Sequence, residues 1–212
     1  MAGSTGTAEN KPHLRIVSAD TRAEEDDAAL VARVRAQEPA AAGRVWDRYA
    51  FLVRRLLRRM LGPVDVEDCV QDAFLRLFRD LRSLRDPSAL RSFLIGIAIH
   101  VAHSELRKRR AKRWLLLTSD GAPLDSEAAT TDDWHEPRAA VLRLYQILDR
   151  VSDKLRTVFV LRYIEGLELS ELATLLGCSL ATVKRRVADA STRVCALAAA
   201  DPLLAPYMEA RS

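Results

Sequence analysis

From residue 26 onward, apolar side chains recur every three or four positions with charged residues between them, the pattern of amphipathic helices. In DDAALVARVRA, Leu30, Val31 and Val34 share one face, and Pro39 ends or restarts the helix. The next segment aligns Val45, Trp46, Tyr49, Leu52, Val53, Leu56, Leu57 and Met60, fills the other side with arginines, and breaks at Gly62-Pro63. Asp65 is placed to cap a third helix whose stripe is Val66, Cys69, Val70, Ala73, Phe74, Leu77 and Leu81. Its opposite face is polar, with Glu67, Asp68, Gln71 and Asp72. After the turn RSLRD, Asp86 as cap and Pro87 at the first helical position open a long helix through Leu90, Phe93, Leu94, Ile97, Ala98, Val101 and Leu106. Four such helices suffice to close a core.

The pattern then lapses. Residues 118–137 combine turn formers, acids and small side chains with no helical stripe, and 114–137 reads as a flexible acidic linker. Beyond it, Val141, Leu144, Tyr145, Leu148 and Val151 predict one helix; Ser152 caps another carrying Leu155, Val158, Phe159 and Tyr163, stopped at Gly166. In ELSELATLLGCSLATVKRRV two short helices flank Gly177-Cys178-Ser179. Leu172, Ala173 and Leu176 point inward from one, and Val183 and Val187 pack back from the other, behind Ser179 as cap. That is a helix-turn-helix. The expected fold is all-α: two small helical domains, 26–113 and 138–198, joined by the linker at 114–137. A disordered N-terminal tail (1–25) and a C-terminal tail (199–212), either frayed or a small docking segment, complete the chain.

Composition agrees with this and narrows the function. With 212 residues the chain accommodates one large or two small domains, and its low aromatic content of 6% with abundant Ala, Leu and Arg favours helix. No apolar run approaches the roughly 20 residues needed to cross a bilayer, and the N-terminus lacks a signal pattern, so a cytoplasmic protein without direct membrane insertion is expected. Cys69, Cys178 and Cys195 are odd in number and widely spread; each reads as a small buried apolar residue rather than a disulfide or metal ligand. The histidines form no ligand pattern with them, and there is no nucleophile elbow and no Gly-rich phosphate loop. No catalysis, metal, cofactor or small-molecule substrate is therefore expected.

The net charge of +4 matters less than where the charges lie. Residues 54–60 and 107–113 are densely basic, whereas 114–140 is acidic. On the second helix of the helix-turn-helix, Ser179, Ala181 and Thr182 are short enough to let the helix start approach base edges, and Lys184, Arg185 and Arg186 are placed to hold phosphates. The plainer alternative is a helical hairpin with a solvated charged face.

Two stretches carry a family resemblance. DVEDCVQDAFLRLFRDL (65–81) resembles the polymerase-binding helix of region two in extracytoplasmic-function sigma factors, and residues 148–187 resemble their region four, in the family's order. The resemblance implies that Glu67, Asp68, Gln71 and Asp72 grip a coiled coil on the largest subunit of core RNA polymerase, with the polymerase flap as a second contact. It implies that the turn 82–88 and the helix after it capture a base flipped from the melted minus-ten element, with Arg91, His100, Arg107 and Lys108 as candidates. Ser179, Ala181, Thr182, Lys184, Arg185 and Arg186 would read the minus-thirty-five element. An anti-sigma factor is an implied partner, and the acidic linker would either tether passively or run toward the RNA exit path. The sequence departs from the family where Gly96 and Ile99 replace arginines, where Leu180-Ala181 replaces Glu-Gly, and at Asp189 and Ser191. Those departures leave open a sigma-like decoy that occupies an anti-sigma factor. A dimeric repressor is the third reading, and it leaves 65–81 unexplained.

Overall fold

The computed structural model describes residues 26–118 and 135–209. The expectations for the tail at 1–25, for the connector between 119 and 134 and for the last three residues lie outside the described residues. Within them every regular element is helical.

The first domain begins with α1 (Asp27–Arg35) and turns through Gln37 and Ala40, both in the left-handed region, on either side of Pro39. α2 (Ala41–Leu61) buries Val45, Val53, Leu57 and Met60 and ends at Gly62, whose φ of 92° L side chains rarely adopt. α3 (Glu67–Asp80) starts where the Asp65 carboxylate accepts from the Glu67 N–H at 3.0 Å. A 3₁₀ turn (Leu81–Ser83), a bend and a second 3₁₀ turn (Pro87–Ala89) lead into α4 (Leu90–Thr118), with the Asp86 side chain accepting from Ser88 N–H. The core closes where α2, α3 and α4 meet, with the Trp46 and Phe74 rings 4.5 Å apart and Leu57, Leu77 and Leu94 fully buried. Each such leucine stabilises the fold by about 1.5–3 kcal/mol.

The second domain comprises α5 (His135–Leu148), α6 (Asp153–Phe159), α7 (Leu169–Leu175), α8 (Leu180–Ala199) and α9 (Ala205–Glu209). Ser152 caps α6 as its sequence position predicts. α6 then widens into a π turn (Val160–Ile164) and stops at Gly166 with φ 74°.

Two boundaries differ from the sequence reading. α4 continues to Thr118 and α5 begins at His135, so helix intrudes on both ends of the segment read as linker. The reason is local: Ala111, Lys112, Arg113 and Leu115 favour helix, and no breaker intervenes before Gly121 and Pro123. The C-terminal segment is docked. Arg143 holds the buried Asp201, and Leu204 is buried in the cluster that includes α8. The cysteines are free and half-buried, less enclosed than expected.

Candidate functional site

The third helix presents its polar face outward. Asp68 and Gln71 are exposed and Glu67 and Asp72 half-exposed. Glu67 already has company: Arg54 grips both its oxygens at 2.6 and 2.8 Å, and Arg58 lies 3.9 Å away. The Arg54 hydrogen bonds, aided by the charge of Arg58, hold the Glu67 carboxyl below the usual range. Asp72 pairs with Arg76 one turn along at 2.9 Å. Leu75 joins this face by the spacing 68, 71, 75 and is 70% exposed. Its position outside the apolar stripe is the signal that could have marked it. Phe51, 72% exposed, shares its side of α2 with Arg54 and Arg58 by the same spacing.

On α4 the four candidates do not make one surface. Arg91, His100, Arg107 and Lys108 are all exposed. Nine residues, two and a half turns, separate Arg91 from His100 and put it on the opposite side of the helix; sixteen residues, about 24 Å, separate it from Arg107. Arg91 instead borders a cleft of about 220 Å³ that also holds Arg55, Glu165 and Glu171. The turn before α4 is tied down from α1, where Arg35 donates to the carbonyls of Leu81 and Leu84 at 3.0 and 2.5 Å. Arg82 and Arg85 stand exposed on that turn. Arg35 was not among the expected residues, because nothing in the sequence relates it to a turn more than forty residues away.

The helix-turn-helix is built from two caps and a glycine. Glu171 accepts from the Glu168 N–H at 2.7 Å in a capping box at the start of α7. Gly177 (φ 58°) makes the turn, and Ser179 Oγ accepts from the Thr182 N–H at 3.2 Å to start α8. Leu172 and Val183 are fully buried between the helices. Ala181, Lys184 and Arg185 project from the exposed side, whereas Arg186 folds back toward Cys178 Sγ at 3.7 Å. The Thr182 hydroxyl is engaged with Ser179 Oγ at 2.9 Å. Along the C-terminal half of α8, Val141, Leu144, Phe159, Tyr163, Val194 and Tyr207 line an apolar groove of about 480 Å³.

Among the described residues no cluster of His, Cys, Asp and Glu could hold a metal ion, and no helix is long and apolar enough to cross a membrane.

Comparisons with known proteins match both domains. The family described as Sigma-70 region 2 matches residues 45–112, and the family described as Sigma-70, region 4 matches residues 142–194. The chain is 30% identical over 168 residues to the ECF RNA polymerase sigma-E factor of Haemophilus influenzae, covering 76% of this chain and 89% of that protein. It is 30% identical over 173 residues to the RNA polymerase sigma-H factor of Pseudomonas aeruginosa, covering 77% and 89%. The structure of CnrH in complex with the cytosolic domain of CnrY superimposes with a TM-score of 0.59 at 25% identity, over 84% of this chain and 99% of that one. The sigma factor RpoE of Bartonella quintana, solved with the anti-sigma factor NepR, has the same fold, with a TM-score of 0.50 at 22% identity over 74% of this chain and 96% of that one.

Proposed function

The chain belongs to the sigma-70 family as an RNA polymerase sigma factor of the extracytoplasmic-function type, and from that premise we propose a role for each exposed face. The α3 face, Glu67, Asp68, Gln71 and Asp72 together with Leu75, docks on core polymerase through a coiled coil of its largest subunit. The apolar groove along the C-terminal half of α8 receives the polymerase flap. The 81–89 turn and the exposed cations of α4, Arg91, His100, Arg107 and Lys108, hold the melted minus-ten strand. The start of α8, Ser179, Ala181 and Thr182 with Lys184, Arg185 and Arg186, enters the major groove at the minus-thirty-five element.

The observation that carries this reading is the coexistence, on one chain, of an exposed acidic helix face and an exposed cationic recognition helix. A repressor using the helix-turn-helix alone has no use for the former. The decoy reading is not favoured, since the relatives are sigma factors over nine-tenths of their length. In this role the polymerase makes every phosphodiester bond and the chain selects where it starts, in the cytoplasm where polymerase and chromosome meet. By analogy with the Bartonella complex, we propose that an anti-sigma factor holds this protein when it is idle.

The test is transcription in vitro with core polymerase and a genomic promoter library. Discrete start sites dependent on the protein are expected. Absence of any initiation alongside intact core binding would return the decoy to first place.

A further inference from the structure

We propose that the cleft where α2, α4, α7 and the π turn meet is a binding site for a small apolar carboxylate, a ligand class that none of the roles assigned above includes. The site is independent of promoter reading.

The cleft, of about 220 Å³, is layered. Leu56, Ile95 and Leu161, from three separate elements, are buried and form its apolar floor, with half-buried Leu175 beside them. Arg91, Ser92 and Thr174 stand exposed at its mouth. An apolar floor under a few polar groups is how small-molecule sites are made: the body of the ligand supplies affinity and its polar end sets orientation.

The sign of that polar end follows from the ion pairs. Glu165 is held between Arg55 at 2.9 Å and Arg59 at 2.8 Å, so two guanidinium groups meet one carboxylate. Arg55 spends Nη2 on Glu165, while its Nε–H is buried without a hydrogen-bond partner. A buried donor left unmade is costly, and an acceptor brought in by a ligand removes that cost. Glu171, the other acid on the wall, is taken up by the capping box, where it accepts from the Glu168 N–H. Arg91 makes no ion pair among the described residues. The balance favours one added negative charge. A carboxylate matches the planar guanidinium, whereas a dianion would meet repulsion from Glu165 and Glu171.

Volume sets the size of the body. The cleft corresponds to about seven water molecules at ~30 Å³ each, below the roughly 300–1,000 Å³ of sites for drug-sized ligands. A carboxylate carrying about six to eight carbons fits, and a long acyl chain does not. The larger groove along α8 has no charged side chain on its wall and offers a carboxylate nothing.

Octanoate added to the full chain is the probe. An NMR titration of isotope-labelled protein should show saturable one-to-one binding with a Kd of about 0.1–1 mM, and shifts centred on Ser92, Ile95 and Thr174. Octan-1-ol, with the chain but not the charge, should bind about tenfold more weakly or worse. Arg91→Leu should remove most of that difference by weakening octanoate about tenfold. Ser92→Trp, a change at an exposed position, should block both ligands and leave the circular dichroism spectrum unchanged. Octanoate should also raise the melting temperature of wild type and not that of Ser92→Trp. Absence of saturable binding, shifts centred on Val194 and Tyr207 of the apolar groove, equal affinity for octanoate and octan-1-ol, or full octanoate affinity in Arg91→Leu or Ser92→Trp overturns the proposal.

Discussion

Reversing Asp68 and Asp72 to arginine separates docking from folding. The folding cost follows from their surroundings. Asp72 pairs with Arg76 across one turn, with both side chains more than a third exposed, a geometry worth about 0.3–0.5 kcal/mol; reversal replaces it with repulsion of similar size. Asp68 lies in the first turn of α3, where a negative charge gains about 0.3–1 kcal/mol from the helix dipole. The sum is about 1–2 kcal/mol against the 5–15 kcal/mol that usually holds a domain together. The double variant should stay helical and melt about 10 °C lower. Its docking should suffer far more. Two central charges reversed against a basic partner cost about 2 kcal/mol each or more, together roughly a thousandfold in affinity. Titrating labelled protein with core polymerase, alongside thermal melting by circular dichroism, measures both. A folded variant that still binds core within threefold of wild type refutes the assignment of this face. Glu67→Gln is the informative comparison, because Glu67 is already committed to Arg54 and Arg58.

Four other outcomes are expected. Ser179→Ala removes the acceptor for the Thr182 N–H and should destabilise the start of α8 by about 1 kcal/mol, weakening duplex binding several-fold without disturbing core binding; equal loss of both would contradict the assignment. Replacing Lys184 and Arg185 by Ala should flatten the dependence of log affinity on log salt by about 2 for minus-thirty-five duplex, read by fluorescence anisotropy. Burial, helped by nearby His100 and Arg107 and opposed by Asp153, holds the His103 imidazole below its ordinary pKa of 6.5. The folded surroundings thus favour the neutral ring: the stability this contributes is fully present above that value and is lost as pH falls toward the depressed one. Thermal melting should show a loss of stability at low pH that His103→Gln reduces, and an unchanged pH dependence in that variant would contradict this. Arg35→Met should loosen the 81–89 turn and shorten open-complex lifetime while leaving duplex binding by α8 unchanged; an unaltered lifetime would mean the turn holds without it.

Much of this architecture was legible because its signals are local. Gly62, Gly166 and Gly177 all stand at breaks and all take positive φ, and Ser152 and Ser179 cap the helices they precede. The core stripes of α2 and α3 are buried except at Trp46, Leu52 and Cys69, which are half-buried. What escaped was whatever depends on partners distant along the chain. Glu165 pairs with Arg55 and Arg59 at 2.9 and 2.8 Å, and Arg156 donates Nε to the Met60 carbonyl at 2.8 Å, yet nothing in sequence announces partners so far back along the chain. The candidates on α4 rest on the family resemblance, which does not fix helical phase, and phase sets Arg91 on the other side of the rod from His100 and Arg107. Leu75 falls off the apolar stripe of α3, so the stripe does not mark it.

The carbonyls of Arg59 and Met60, which accept from the Tyr145 hydroxyl and from Arg156 Nε, bear on how this protein is allowed to vary. Two of the plugs for the end of α2 are encoded in a different structural unit, so the halves are not interchangeable modules. A chimera that grafts the reading head of a relative onto this polymerase-gripping half, without a tyrosine and an arginine at the places of Tyr145 and Arg156, would inherit new promoter preferences along with an unplugged helix. Substitutions at Gly62, Tyr145 and Arg156 should therefore travel together through any lineage that keeps them.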